Sequence, residues 1–505
     1  MLDPRTTSTT TRRAAIGLGL TTASAAVLSA CTAPGDTASR SAFVAPTAAV
    51  VRDVERRRHS TGTTRSATLV AAERDVDLGG RAVRTWSFGS VPASTIRVTA
   101  GDTLRAVLDN RLPAPTTVHW HGVAIRNDMD GVPQVTQQPV PSGARFTYDF
   151  VAEQPGTYWF HPHQGVQIDR GLAGALVVED PNEPLRYDHE WVVVLDDWLD
   201  TAPEAVLRQL GEGMGSMQGM GGMLMRDGDR LTGTSSAALG GDTGDVYYPS
   251  YLVNGRPVAD PESFRAKPGD RVRIRLINAG GDTAFRVALA EHVLTITHSD
   301  GFPVDPVEVD SVLIGMGERY DVLVTLGSGV FPFLASAEGK QARGFALVRT
   351  AGGAAPEAPA TLPELDGRLG RAGLLEAARS VRLPTRVVDR TLRAELTGDM
   401  STYRWRINGR AFSASDPLAG ALAVRSGERV RLELVNRTTM WHPMHLHGHT
   451  YQHAGGGPRK DTSVVLPGST LRVELDADNP GRWAVHCHNV YHAESGMMTV
   501  LAYRA

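Results

Sequence analysis

Gly101-Asp102-Thr103-Leu104-Arg105, running on to Asn110, decides the fold, because the chain writes this stretch three times. Gly269-Asp270-Arg271-Val272-Arg273 leads to Asn278, and Gly427-Glu428-Arg429-Val430-Arg431 leads to Asn436. Each copy reads as a turn followed by a strand of alternating apolar residues. The copies begin 168 and 158 residues apart, a period that suits a whole domain and exceeds any solenoid repeat. A second echo agrees. Pro155-Gly156-Thr157-Tyr158-Trp159-Phe160-His161-Pro162-His163 sits late in the first unit, and Pro480-Gly481-Arg482-Trp483-Ala484-Val485-His486-Cys487-His488 holds the same place in the third. In the middle unit Gly329-Val330-Phe331-Pro332-Phe333 continues to Leu334 and Ser336, where the histidines would be. The expected fold is all-β: three consecutive β-sandwich domains, the outer two carrying histidines.

A chain of 505 residues exceeds one ordinary core and suits two to four domains. Its 52 basic and 55 acidic residues nearly cancel, so no basic surface argues for nucleic acid. The 53 glycines and 30 prolines fit a turn-rich β protein. Only two cysteines occur, Cys31 and Cys487. That excludes a disulfide-stapled scaffold, a cysteine-based zinc finger and an iron–sulfur cluster.

Residues 1–30 read as an export signal. Arg12-Arg13 precedes an apolar run from Ala14 to Ala26, too short for a comfortable membrane span, and the paired arginines point to the twin-arginine route. Leu28-Ser29-Ala30-Cys31 resembles a bacterial lipobox, which implies acylation of Cys31. Loss of residues 1–30 leaves a net charge of about −5 from the −3 of the whole chain. Residues 31–66, rich in Ser, Thr, Ala and Arg, are expected to be a flexible tether. Domains are expected over 67–185, 186–350 and 381–505, with linkers at 200–245 and 351–380. The expectation is a monomer, exported and lipid-anchored at the outer face of the bacterial cell membrane, with no disulfide.

Ten of the 16 histidines fall into four clusters. These are His119-Trp120-His121, His161-Pro162-His163, His442-Pro443-Met444-His445-Leu446-His447, and His486-Cys487-His488 with His492 and Met497 following. Residues i and i+2 of a strand face the same way, so each His-x-His presents two imidazoles in one direction. The pairs 119/121, 161/163, 445/447 and 486/488 offer eight nitrogen donors, able to enclose several metal ions if the outer domains meet. Cys487 must then point the other way, where it can join His442 and His492, with Met497 as a weak axial partner. Two histidines, a thiolate and a distant methionine make a blue-copper electron-transfer site.

These residues resemble the four signatures of multicopper oxidases, over roughly residues 65–505, and are most similar to three-domain bacterial copper-resistance and laccase-like enzymes, including lipoprotein members. The resemblance implies cupredoxin-like Greek-key domains and four copper ions. His442, Cys487, His492 and Met497 would bind type 1 copper, and His119 and His445 type 2. His121, His161 and His488 would take one type 3 copper, and His163, His447 and His486 the other. It implies one-electron oxidation of a reductant coupled to four-electron reduction of dioxygen to water. Dioxygen reduction consumes protons. Asp130 matches the family's acid after the first His pair, with a turn aspartate before Gly131 as the plain alternative. Many bacterial members place a glutamate directly after the last type 1 histidine; here Ala493 stands there and Glu494 one residue later.

Met214, Met217, Met220, Met223 and Met225 lie within twelve residues, spaced by glycine and polar residues. Thioethers favour Cu(I), although methionine also serves as filler. Met440 resembles the methionine through which cuprous oxidases of this family receive their ion, with Thr438 replacing the usual aspartate. The expected substrate is therefore Cu(I), with phenols and Fe(II) as accompanying reductants, in copper detoxification. The alternative is a copper-sequestering lipoprotein, which the complete ligand set opposes. A nitrite reductase-like carrier fails, because two-domain enzymes of that kind lack the eight-histidine set.

Overall fold

The computed structural model describes residues 43–212 and 225–505. The export signal, Cys31, Met214, Met217, Met220 and Met223 lie outside the described residues.

The repeated stretch is the same strand in each domain. Asp102–Asn110 pairs in parallel with Thr64–Asp77 and antiparallel with Arg145–Ala152. Arg271–Asn278 lies likewise between His189–Trp198 and Arg319–Thr325, and Arg429–Asn436 between Arg390–Thr397 and Thr470–Asp476. A second sheet accompanies each first one: four strands in the first domain, six in the second and five in the third. Apolar side chains such as Leu104, Leu108, Ile274, Leu276, Leu432 and Leu434 fill the interior.

Both ends of the repeat have a physical reason. Gly101, Gly269 and Gly427 turn into the strand at φ of +90°, +87° and +86°, a left-handed conformation that favours glycine. At the other end each asparagine is fully buried and ties down the loop that follows. Asn110 Nδ2 donates to Ala114 O and Val140 O, and its Oδ1 accepts from Leu112 N. Asn278 does the same with Thr283 O, Ile314 O and Gly280 N, and Asn436 with Met440 O, Val465 O and Thr438 N. The outer two of these loops lead into the histidine strands His119–His121 and His442–Leu446.

The tether expected over 31–66 is corrected from Phe43 onward. Phe43 forms an antiparallel bridge with Arg504, and Val44 N donates to Tyr503 O at 2.8 Å. Helix Ala49–Arg57 buries Val51, while Glu55 Oε1 accepts Val151 N at 2.7 Å. Mean composition hid this helix, because one inward valine suffices when the arginines face outward. The expected linkers are also structured. Helix Pro203–Gly211 buries Val206 and Leu210, and Met225–Asp227 pairs with Arg230–Thr232. In the second stretch Leu362, Leu365, Leu375 and Ala377 are buried.

Candidate metal centre

Strand pairing brings the histidine clusters together. His119 is in register with His161, His445 with His486, and Met444 with Cys487. The first and third domains then meet histidine to histidine. His119 Nε2 lies 3.4 Å from His445 Nε2, while His486 Nε2 lies 3.4 Å from His163 Nε2 and 3.0 Å from His447 Nε2. The donor atoms group as 119/121/445, 121/161/488 and 163/447/486, each group spanning no more than 4.8 Å.

The outward ring nitrogens explain which lone pairs turn in. His119, His161, His445 and His486 each donate Nδ1–H to a backbone carbonyl, of Asp130, Pro162, Asp461 and Cys487. His447 Nδ1 lies 3.1 Å from both Asp130 carboxylate oxygens. These partners fix the tautomer and leave Nε2 as a bare acceptor facing other acceptors. His121 is turned round: its Nε2 faces Asp461 Oδ1 and Thr462 Oγ1, and its Nδ1 has no partner. His161 Nε2 and both His488 nitrogens are likewise buried and unpartnered. Burial, reinforced by neighbouring histidines, holds His121, His161, His163, His447, His486 and His488 well below the usual imidazole value. Facing, unsatisfied neutral imidazoles are costly among themselves and fit cations that favour nitrogen ligands.

Cys487 belongs to a second set. Its Sγ lies 3.6 Å from His442 Nδ1 and 3.7 Å from His492 Nδ1, and those nitrogens are 3.2 Å apart. Burial pushes the Cys487 thiol up, so a bound cation is what would favour its thiolate. Asn489 caps the short helix Val490–Glu494 by accepting Tyr491 N and His492 N, which presents His492. Met497, fully buried, is held by Met497 N to His492 O and Cys487 N to Met497 O. Two outer partners escaped sequence reasoning. Asp245 Oδ2 lies 3.1 Å from His492 Nε2 and accepts Tyr403 OH at 3.0 Å. Thr438, standing where an aspartate was expected, places Oγ1 2.8 Å from His442 Nε2.

Asp130 is no surface turn residue: it is fully buried between His119 and His447. Gly131 follows at φ +83°, where a Cβ would overlap Val118 O. Glu494 lines a small cavity with His161, His163, His486 and His488. Met440 is buried, and its backbone runs beside Asp242. Met225 opens a short strand. Five of the six remaining histidines have partners of their own: His189 with Asp270, His292 with Ala290 and Gly327, His298 with Thr297, His449 with Tyr503, and His453 with Ser463, while His59 is exposed.

Three sandwich domains, an eight-histidine set between the outer two and a cysteine–histidine set one peptide bond away define a copper-dependent redox protein. Comparisons with known proteins agree. Multicopper oxidase family models match residues 72–183, 189–353 and 388–505 in succession. The chain belongs to the multicopper oxidase family, oxidoreductases that use copper and dioxygen. Multicopper oxidase MmcO of Mycobacterium tuberculosis is 47% identical, with 97% of this chain and 96% of that protein covered. Copper resistance protein A of Escherichia coli is 27% identical, covering 86% of this chain and 92% of that protein. The multi-copper oxidase of Pseudomonas thermotolerans, 26% identical, superposes with a TM-score of 0.68 over 88% of this chain and all of that chain. The Botrytis aclada laccase, 24% identical, shares the fold at a TM-score of 0.72 over 89% of each chain.

Proposed function

We propose that the protein oxidises Cu(I), with phenols and Fe(II) as accompanying reductants, at the expense of dioxygen, and so limits copper toxicity. The relatives named for copper resistance support the assignment of substrate. Four ions are proposed: one type 1 at His442, Cys487, His492 and Met497, one type 2 at His119 and His445, and two type 3. His121, His161 and His488 would hold one type 3 ion, and His163, His447 and His486 the other. Copper bound in these sets supplies the one-electron steps that couple oxidation of the reductant to four-electron reduction of dioxygen to water.

The observation that carries this reading is the division of His486-Cys487-His488. The Cys487 side chain joins one donor set and both neighbouring histidines the other, so a single peptide bond links the sets on either side. The reductant thus never needs to reach the buried histidines. Asp130, which contacts His119 and His447, would pass protons beside them, and Glu494, which lines a cavity with His161 and His488, would offer a second route. Met214, Met217, Met220, Met223, Met225 and Met440 are proposed to collect Cu(I) by soft thioether coordination. The reading includes export, acylation at Cys31, residence at the outer face of the bacterial cell membrane and a monomeric body.

Purified, copper-loaded protein should be blue, bind four coppers per chain and consume oxygen with Cu(I) or a phenol. A colourless protein without oxygen uptake would overturn the oxidase reading in favour of sequestration.

A further inference from the structure

Among the described residues the middle domain supplies no donor to either set, yet its turn at Gly317, just before strand Arg319–Thr325, packs against two of the eight histidines. Gly317 has φ +81°, and a Cβ there would come within 2.9 Å of His488 Cδ2 and 3.0 Å of His121 Cε1. Two residues on, Arg319 is wholly buried and touches all three domains. Its Nε donates to Thr157 O of the first domain at 3.1 Å, and its Nη1 to Gly317 O of its own at 3.0 Å. Nη1 and Nη2 then donate to Asp461 Oδ1 and Oδ2 of the third domain at 2.7 and 2.6 Å.

Asp461 is the carboxylate that faces His121. Its Oδ1 lies 3.1 Å from His121 Nε2, and its backbone O accepts His445 Nδ1 at 3.0 Å. The middle domain grips the neighbours of Asp461 as well. Asp461 N and Thr462 N donate to Asp300 Oδ2 at 3.2 and 3.1 Å, and Lys460 Nζ reaches Ser299 Oγ at 2.9 Å and Glu318 Oε1 at 3.1 Å. Such a buried ion pair is poor value as a mere staple, since apolar residues of similar volume often stabilise as well or better. Its worth lies in the fork geometry, which gives Asp461 one orientation.

We propose that Arg319 is a positioning residue for the copper centre: through Asp461 it holds the reversed ring of His121, with Nε2 outward and Nδ1 turned into the site. This rests on the eight histidines binding copper, as proposed above. The orientation of one ligand would then be set by a domain that contributes no ligand.

The test compares wild-type, Arg319→Met, Arg319→Lys and Asp461→Asn full-length protein by copper titration, visible absorption and paramagnetic resonance. In Arg319→Met the Cys487 set should keep its copper and its absorption band. The eight-histidine set should bind copper about 10- to 100-fold more weakly, as loss of outer partners of metal ligands commonly does, with an altered resonance signature. Arg319→Lys should recover part of the affinity, because it keeps the charge but not the fork. Unchanged affinity and signature in Arg319→Met would overturn the proposal. If that variant does not fold, Asp461→Asn decides: a loss confined to the eight-histidine set supports it, and none overturns it. Wild-type protein that binds no copper at the eight histidines would instead defeat the oxidase reading, so the two failures are distinguishable.

Discussion

Asp245 Oδ2 lies 3.1 Å from His492 Nε2, across 247 residues of sequence, and both side chains are buried. The contact holds Nδ1 of His492 toward Cys487. Asp245→Ala should therefore weaken copper binding at the Cys487 set about 10- to 100-fold. Titration of the visible band against added copper checks this, and an unchanged curve would remove Asp245 from the site.

Asp130 should matter to dioxygen more than to the reductant. Asp130→Ala is expected to lower steady-state oxygen uptake on the order of 100-fold or more, the usual weight of a positioned proton donor. Anaerobic reduction of the Cys487 set by one equivalent of Cu(I) should stay within about twofold, because the contacts of Asp130 are with His119 and His447 of the eight-histidine set and not with His442, Cys487 or His492. Stopped-flow bleaching and an oxygen electrode separate the two steps.

The repeat asparagines carry stability. Asn278→Ala leaves the buried Thr283 and Ile314 carbonyls without this donor, at a cost of about 1–3 kcal/mol for each unsatisfied group. Denaturant unfolding of metal-free protein should show the loss. Copper per chain should not change, since this loop carries no histidine.

Asp321 ties stability to pH. Burial alone would raise its carboxyl, but Arg273 and Arg275 together outweigh that and hold it well below the usual range. A carboxylate depressed in the folded state stabilises above its unfolded value, about 3.9, and that contribution fades as pH falls toward the folded value. Asp321→Asn should thus be clearly less stable than wild type at pH 7. The gap should narrow progressively below about pH 4. Urea midpoints at several pH values check it; a gap that widens with acid would contradict it.

Replacing Met214, Met217, Met220, Met223 and Met225 together with leucine should reduce Cu(I) turnover several-fold and leave phenol turnover within about twofold, because only a soft cation gains from thioethers. Equal effects on the two rates would return the segment to a linker.

What could be read from the sequence was what short spacing encodes. His119 and His121, or His486 and His488, reveal a common face because strand periodicity is local, and the glycine-to-asparagine repeat exposes the domain count. Partners brought together by packing left no such trace. Arg319 meets Asp461 over 142 residues, and nothing near Asp245 marks it as a neighbour of His492. Thr438 stands where the resemblance calls for an aspartate, and its sequence position alone does not reveal that its hydroxyl contacts His442. The stretch from Phe43 to Arg58 is hidden by averaging, since two buried valines, Val44 and Val51, and the Glu55 carboxylate dock it amid arginines.

That docked stretch also closes the molecule on itself. Phe43 bridges Arg504, and Arg482 Nε donates to Val44 O at 3.1 Å, so the first and last of the described residues lie side by side. The order of the three domains along the gene is then largely a matter of where the ring is cut. A permuted chain that joins Ala505 to Phe43 through a few glycines and opens between Gly211 and Met225 would keep every strand pairing described above, as proteins with adjacent ends commonly tolerate.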